Sequence, residues 1–263
     1  MKPELVGVIH LPALPGSPHS ALSMPEIIAG VRSDAKALAA AGFDSVVVEN
    51  FGDAPFFKAD VPKVTVAAMT AACVAVREAA PTLGVVVNVL RNDADAALAI
   101  AAVTGAWAIR VNIHTGARVA DQGLIEGRAA ETLRTRRALG VHVAVWADVD
   151  VKHSAPLAPY PLDQDVHDLV YRGGAEVVIA SGSGTGVLPT EDKLRVTSEL
   201  VRGAGARMGL GSGAMVATLP MLSKYIDVLI VGSALRSGGR AGGLIDAEAA
   251  SRFADAFRAS FRT

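Results

Sequence analysis

The sequence predicts a single (β/α)8 barrel over residues 1–263. Eight short runs rich in Val and Ile alternate with Ala-rich helical stretches along the chain, which is typical of proteins with a parallel sheet. These runs lack an apolar–polar alternation, as expected of strands that are buried on both faces. The length fits one barrel of roughly 250 residues, and the absence of a dinucleotide-binding fingerprint argues against an open doubly wound sheet.

The individual elements follow from these patterns in chain order. The β-branched runs predict strands at Leu5–Ile9, Ser45–Val48, Val85–Val89, Trp107–Val111, Val141–Ala147, Glu176–Ala180, Arg207–Leu210 and Val228–Val231. Helical spacing predicts helices at Pro25–Ala41, Pro62–Ala80, Asp93–Val103, Glu126–Leu139, Asp163–Arg172, Thr190–Arg202, Ala214–Ser223 and Asp246–Phe261. Boundary residues support several of them, since Ser23 precedes the first helix, Gly42 follows it, Gly84 follows the second and Asn92 precedes the third.

Composition excludes several classes of protein. The 25 basic and 26 acidic residues nearly balance, so nothing predicts a nucleic-acid partner. Cys73 is the only cysteine, which rules out an internal disulfide and a thiolate metal cage. No stretch reaches the ~20 apolar residues of a membrane-spanning helix, and the apolar N-terminal run is broken by prolines, unlike a signal peptide. We therefore expect a cytoplasmic protein without an integral membrane segment.

Polar residues and glycines follow every predicted strand. In a barrel these strand ends build the ligand-binding face. In strand order they are His10; Glu49, Asn50 and Asp53; Asn88, Arg91 and Asn92; Arg110 and Asn112; Asp148, Asp150, Lys152 and His153; Ser181 and Gly182; Gly211, Ser212 and Gly213; and Gly232 and Ser233. The opposite face shows no such richness, so we expect the site at the C-terminal ends of the strands.

The glycines after the seventh and eighth strands predict a phosphate site. Barrels often bind phosphate through backbone N–H groups of these two loops. Glycine allows the backbone to approach an anion closely and to adopt positive φ. Gly211-Ser212-Gly213 and Gly232-Ser233 match this pattern, although glycines that only form tight turns would look the same.

The densest group of ionisable residues follows the fifth strand. If that strand continues, Asp148 and Asp150 share one face, and a carboxylate beside Lys152 could act as a general base. Lys152 could bind phosphate or form a Schiff base, whereas the alternative is a loop salt-bridge network. Arg110 lies within a strand and needs a carboxylate or a substrate as its partner, for which Glu49 is a candidate.

Three further assignments stay open. Glu49 could act as a general acid or base, or could bind Mg²⁺ together with Asp53, so magnesium is the one cofactor that the sequence leaves open. His10 is as easily explained by a structural hydrogen bond as by catalysis. Cys73 lies in an Ala-rich helix and is expected to be a buried, inert thiol.

Long motifs distributed over the whole chain resemble those of the BtpA/SgcQ family. They are Gly7-Val-Ile-His-Leu-Pro-Ala-Leu-Pro-Gly16, Glu49-Asn-Phe-Gly-Asp-Ala-Pro-Phe56, Asn88-Val-Leu-Arg-Asn-Asp93, Arg110-Val-Asn112, Asp121-Gln-Gly123 with Glu126-Gly127, Ala147-Asp-Val149 with Val151-Lys-His153, Gly182-Ser-Gly-Thr-Gly186, Gly211-Ser-Gly213 and Val231-Gly-Ser233. Ala13 stands where this family pattern has proline. The resemblance implies a phosphate-binding barrel of the ribulose-phosphate type. Members of the family are associated with photosystem I biogenesis or with carbohydrate genes, so it implies no reaction.

Two functions are therefore open. The first is an enzyme acting on a phosphorylated sugar or nucleotide-like compound, such as an isomerase, epimerase, lyase or glycosyl-bond enzyme. The second is a non-catalytic assembly or biogenesis factor of the photosystem I-associated type. A homo-oligomer is compatible with either function, since barrels often form symmetric oligomers. For the enzyme, the predicted catalytic residues are Asp148, Lys152, Glu49, His153 and Arg110. The predicted substrate-binding residues are His10, Asn50, Asn88, Asn112, Ser181 and Thr185, and the predicted phosphate-binding residues are Gly182, Gly186, Gly211, Ser212, Gly213, Gly232 and Ser233.

Overall fold

Eight parallel strands close into a barrel in a computed structural model that describes residues 2–182 and 187–261. The strands of the chain are β1 (Glu4–His10), β2 (Ser45–Glu49), β3 (Gly84–Asn88), β4 (Ala108–Val111), β5 (Ala117–Ala120), β6 (Gly123–Glu126), β7 (Ala144–Val149), β8 (Ser154–Pro156), β9 (Val177–Ala180), β10 (Arg207–Leu210) and β11 (Val228–Val231). Around the barrel the order is β1-β2-β3-β4-β7-β9-β10-β11, and β11 pairs with β1 to close it. The predicted barrel and its eight strands are confirmed.

Helices pack around the outside of the barrel. They are α1 (Met24–Ala41), α2 (Lys63–Ala79), α3 (Ala94–Thr104), α4 (Ala129–Leu139), α5 (Leu162–His167), α6 (Glu191–Gly203), α7 (Leu219–Leu222) and α8 (Ala247–Ser260). The Glu26 carboxylate accepts a hydrogen bond from the Ser23 backbone N–H at the start of α1, and Gly42 ends this helix at a φ of 81°.

Three of the predicted helices differ from the structure by more than a one-residue shift at their ends. α4 begins at Ala129 instead of Glu126, because residues 123–126 form β6. In place of one α-helix over Asp163–Arg172, α5 ends at His167 and a π-helix follows from Asp168 to Arg172. The helix predicted over Ala214–Ser223 consists of a 3-10 turn at Val216–Thr218 followed by the single turn of α7.

Two apolar layers form the core. One lies between the strands and the surrounding helices, and it includes Leu38, Met69 and Phe253. The other fills the inside of the barrel with Val8, Val47, Val86, Ala108, Trp146, Ile179, Ile230 and their neighbours. Because both faces of each strand are buried, the strands read as continuous apolar runs in the sequence.

A small antiparallel sheet lies outside the barrel, with the strand order β6-β5-β8. β5 and β6 belong to the loop after β4, and β8 belongs to the loop after β7. Val119 of β5 pairs with Leu124 of β6 and with Ala155 of β8. This sheet was not predicted, and it joins the loops of two neighbouring barrel strands.

Helices that could cross a membrane are absent from the described residues 2–182 and 187–261, since none is both long and apolar enough.

Candidate active site

A polar layer lies directly above the inner apolar layer of the barrel. Side chains of a strand alternate between its faces, so the residue two positions after an inward-facing residue also faces inward. In strand order, the inward-facing residues of the apolar layer are Val8, Val47, Val86, Ala108, Trp146, Ile179, Gly209 and Ile230. The residues two positions further along the chain are, in the same order, His10, Glu49, Asn88, Arg110, Asp148, Ser181, Gly211 and Gly232. Each barrel strand therefore contributes one residue of this layer at its C-terminal end.

An ion pair occupies the centre of the polar layer. Arg110 donates from Nε to Oδ1 of Asp148 and from Nη2 to Oδ2, both at 3.0 Å. The two side chains are only 4% and 1% exposed. Nδ2 of Asn112 donates to the same Oδ2 at 2.7 Å, and Nδ2 of Asn88 donates to the backbone carbonyl of Arg110 at 3.0 Å. Arg110 therefore has a carboxylate partner, as predicted, but this partner is Asp148 and not the candidate Glu49.

Glu49 and Lys152 lack such partners. Glu49 is 8% exposed, and no described residue donates a hydrogen bond to its carboxylate. Burial raises the pKa of Glu49, against the opposing effect of the Arg110 and Lys152 cations. Burial lowers the pKa of Lys152, and the Arg110 guanidinium lowers it further. Both groups are thus biased towards their neutral forms.

His10 is held as a neutral imidazole. Its Nδ1 accepts a hydrogen bond from the Gly242 backbone N–H at 3.2 Å, so the ring proton lies on Nε2. Burial, reinforced by the positive charge of Arg236, lowers the pKa of His10 to about 3. The ring packs against Phe51 with 4.5 Å between centroids. In this form His10 can donate a hydrogen bond without carrying charge.

One cavity of about 340 Å³ brings most of the predicted site residues together. Its lining includes His10, Glu49, Arg110, Asn112, Lys152, His153, Gly211, Ser212, Gly213, Gly232 and Ser233, together with Arg91, Phe51 and Phe56. Ionisable groups from strands β2 and β4 and from the loops after β3 and β7 therefore share this space with the glycine loops after β10 and β11.

The glycine loops place backbone N–H donors along this cavity. The N–H groups of Ser212, Gly213, Ser233 and Ala234 have no acceptor among the described residues. Gly213 adopts a φ of 83°, and a Cβ at this position would lie 2.5 Å from the Leu188 nitrogen. Glycine is therefore required at position 213 by the loop conformation and packing alone.

Other predicted residues lie outside the cavity lining. The Asn50 side chain bridges to Leu90, whose N–H donates to its Oδ1 at 2.7 Å. The Asn88 side chain is buried beneath the ion pair, and Ser181 is buried with no partner for its Oγ among the described residues. A Cβ at Gly182 would clash with the Val187 carbonyl. Thr185 and Gly186 lie outside the described residues.

The prediction that Asp148 and Asp150 share a face is wrong. β7 ends at Val149, and Asp150 turns away with a φ of 56°. Asp150 forms ion pairs with Arg118 at 3.0 Å and with Lys193. This is the loop network that was the alternative for this segment, whereas Asp148 belongs to the barrel interior.

Two arginines that sequence reasoning did not assign also shape the site. Arg91 donates from Nη2 to the backbone carbonyl of Lys152 at 2.8 Å. Arg236 donates to the carbonyls of Gly232 at 2.7 Å and Val8 at 2.9 Å. Arg91 was visible as a strand-end residue, but no sequence pattern distinguishes Arg236 from a surface arginine.

The described residues contain no group of three or more His, Cys, Asp or Glu side chains that could hold a metal ion, so the structure offers no ligand set for the magnesium hypothesis. Asp53, the proposed partner of Glu49, accepts hydrogen bonds from the Leu14 N–H at 2.8 Å and from Nδ2 of Asn50 at 3.1 Å. These bonds fix the loop after β2, so Asp53 has a structural function.

The fold and the cavity define a TIM-barrel protein with a polar cavity at the C-terminal ends of its strands. The chain belongs to the BtpA family, whose model matches residues 1–259. It is 41% identical to the photosystem I biogenesis protein BtpA of Synechocystis over 254 residues, which cover 96% of this chain and 87% of that protein.

Solved structures with the same fold are more distant in sequence. Thiamine phosphate pyrophosphorylase from Pyrococcus furiosus is 12% identical with a TM-score of 0.60, and the alignment covers 98% of this chain and 97% of that one. The 3-keto-L-gulonate-6-phosphate decarboxylase from Vibrio cholerae is 16% identical with a TM-score of 0.57, covering 99% and 98%. At these identities the likeness establishes the fold alone.

Proposed function

We propose that the protein is an enzyme that acts on a phosphorylated sugar or nucleotide-like small molecule at the C-terminal face of the barrel. The observation that carries this proposal is that one cavity joins the backbone N–H donors of two glycine loops to Glu49, Lys152 and Arg110. Buried polar groups without partners destabilise a fold, so their concentration around one open cavity favours a ligand that pairs with them.

The phosphate group would bind to the loops after β10 and β11. The free N–H groups of Ser212, Gly213, Ser233 and Ala234 supply donors without adding a charge that must be desolvated. Two names among the structural neighbours, thiamine phosphate pyrophosphorylase and 3-keto-L-gulonate-6-phosphate decarboxylase, contain phosphorylated compounds. A phosphate bound to these two loops would hold the rest of the substrate against the polar layer.

The reacting part of the substrate would lie against Glu49 and Lys152. Burial raises the pKa of Glu49, and none of the described residues forms an ion pair with it, which suits it to accept and donate protons. Asp148 is bound by three hydrogen bonds and would position Arg110, whose charge would stabilise negative charge on the substrate. His10, Asn112 and His153 would contact substrate hydroxyl groups. Isomerase, epimerase, lyase and glycosyl-bond chemistry all fit this arrangement.

A thermal-shift screen tests the proposal. The purified protein is heated with sugar phosphates, nucleoside monophosphates and inorganic phosphate, each with and without Mg²⁺. A ligand of the folded state at about 100 times its Kd should add about 2.7 kcal/mol of stability. Dependence of a shift on Mg²⁺ would revive the magnesium hypothesis.

Matched glycine variants locate the bound phosphate. A Cβ at Gly232 would lie 3.0 Å from Cε1 of His10, so Gly232→Val should fill the cavity and abolish the shift. Gly203, at the end of α6, has open space around it, so Gly203→Val should retain the shift. A screen that is silent for every compound, or a shift that survives Gly232→Val, would contradict the proposed site.

A second candidate is an assembly factor, favoured by the 41% identity to a protein named for photosystem I biogenesis. This function needs no small-molecule ligand in the cavity. A silent ligand screen, together with an unchanged phenotype of Lys152→Ala and Glu49→Gln in cells that depend on the protein, would favour it over the enzyme.

A further inference from the structure

We infer that Lys152 forms a Schiff base with its substrate, which makes the substrate class phosphorylated aldehydes and ketones. This inference rests on the proposed function and narrows it to carbonyl compounds. The sequence left open whether Lys152 binds phosphate or reacts as a nucleophile, and the surroundings of its side chain favour the second.

Lys152 has a fixed position beside the cavity. Lys152 follows β7, and its backbone carbonyl is fixed by the hydrogen bond from Arg91 at 2.8 Å. The hydroxyl of Ser154 donates a hydrogen bond to the backbone carbonyl of Val151 at 2.6 Å. Hydrogen bonds therefore fix the backbone both at Lys152 and at the residue before it. The half-buried side chain of Lys152 lines the cavity together with Glu49 and Arg110. An amine held on a fixed backbone beside a ligand cavity is placed to react with a bound carbonyl.

Lys152 forms no ion pair with any of the described residues, unlike two other cations near the site. Arg110 is neutralised by Asp148, and Lys193 by Asp150. Nζ of Lys152, by contrast, lies more than 4.0 Å from every carboxylate oxygen of the described residues. A lysine that served only to balance charge would be expected to contact Glu49, which is itself without a partner.

The pKa shifts of Lys152 and Glu49 are opposite in direction, and both suit imine formation. Burial and the nearby Arg110 guanidinium favour the free amine of Lys152, and burial favours the protonated carboxyl of Glu49. A phosphate ligand would instead favour a fully charged ammonium. An amine and a protonated carboxyl are the nucleophile and the acid that imine formation needs.

The step is balanced without any further reagent. Nζ of Lys152 attacks the carbonyl carbon, and a proton passes from this nitrogen to the carbonyl oxygen to give a carbinolamine. The carbinolamine hydroxyl then leaves as water with the proton of Glu49. The products are a protonated imine on Lys152, the Glu49 carboxylate and one water molecule. The carboxylate so formed can then remove a proton from the carbon next to the imine.

Reductive trapping tests the inference. The whole protein is incubated at pH 7 with dihydroxyacetone phosphate or ribulose 5-phosphate and sodium cyanoborohydride, and labelled lysines are located by peptide mass spectrometry. Unphosphorylated dihydroxyacetone serves as the comparison probe. Lys152 should carry most of the adduct and Lys193 little, because Lys152 lines the cavity that binds the probe, whereas Lys193 is ion-paired with Asp150. Lys152→Arg should lose this adduct, and Lys193→Arg should keep it.

Thermal shifts with the same probes, recorded in parallel, separate the two proposals. A shift with a phosphorylated probe but no excess of adduct at Lys152 would overturn the Schiff base and leave the proposed function standing. Equal labelling of Lys152 and Lys193 would overturn it as well. An adduct at Lys152 with dihydroxyacetone but no preference for the phosphorylated probes would support the Schiff base and contradict the phosphate site.

Discussion

Asp148→Asn would leave the Arg110 guanidinium inside the barrel without a carboxylate. In the folded protein Oδ2 of Asp148 accepts two hydrogen bonds and Oδ1 accepts one. The amide oxygen of asparagine can take over only one of these two positions. Its NH2 group must then face a donor of Arg110 or Asn112, so at least one charged hydrogen bond is lost.

The loss of stability should be large because the pair is almost fully buried, at 4% and 1% exposure. Removing one partner of a buried ion pair costs about 3–5 kcal/mol, since the remaining charge stays desolvated. Urea unfolding followed by circular dichroism measures this loss as a shift of the midpoint. The double variant Arg110→Met/Asp148→Leu should recover part of it, because it removes both buried charges.

An exposed ion pair provides the control. Arg32 and Glu78 are 47% and 57% exposed, so Glu78→Gln should change stability by less than about 1 kcal/mol. If Asp148→Asn were as mild as Glu78→Gln, or if the double variant were less stable than Asp148→Asn, this account of the polar layer would be refuted.

The free energy of unfolding should depend on pH through His10. Folding lowers the pKa of His10 from 6.5 to about 3, so below pH 6.5 the unfolded chain binds a proton that the folded protein does not. Stability should therefore fall as the pH drops below 6.5. Urea unfolding should show a loss of about 2 kcal/mol between pH 7 and pH 5 that His10→Gln lacks. Cys73 is buried with its pKa raised from 9.0 to about 12, so a thiol reagent at pH 8 should modify it only after unfolding; rapid modification of the folded protein would contradict this. Asp93→Ala removes the acceptor for the Ala96 N–H at the start of α3 and should cost about 1–2 kcal/mol in urea unfolding, whereas Asp93→Asn should cost less.

The barrel could be predicted from the sequence because each strand is buried on both faces and each helix has apolar residues at helical spacing. The same alternation determines the inner layer, since an inward-facing Val47 requires an inward-facing Glu49. The sequence therefore predicted part of the cavity lining, such as Glu49 and Arg110, but it also predicted Asn88 and Ser181, which lie outside that lining.

The pairings within the cavity could not be predicted in the same way. Whether Arg110 contacts Glu49 or Asp148 depends on side-chain rotamers and on which strand lies beside β4. That neighbour is β7, because β5 and β6 leave the barrel. Strands of three or four residues, such as β8, are too short to carry a periodic signal, so the small sheet was missed.

The small sheet β6-β5-β8 has a consequence for how this barrel can change over evolution. In most barrels each loop can be exchanged separately, because it is attached only to its own strand and helix. In this protein β5 and β8 share backbone hydrogen bonds, and Arg118 of one loop binds Asp150 and Ser154 of the other. Lys152 lies between those two attachment points. A chimera that replaced residues 112–128 without residues 150–160 would misplace the amine, so these two loops should be inherited and engineered as one unit.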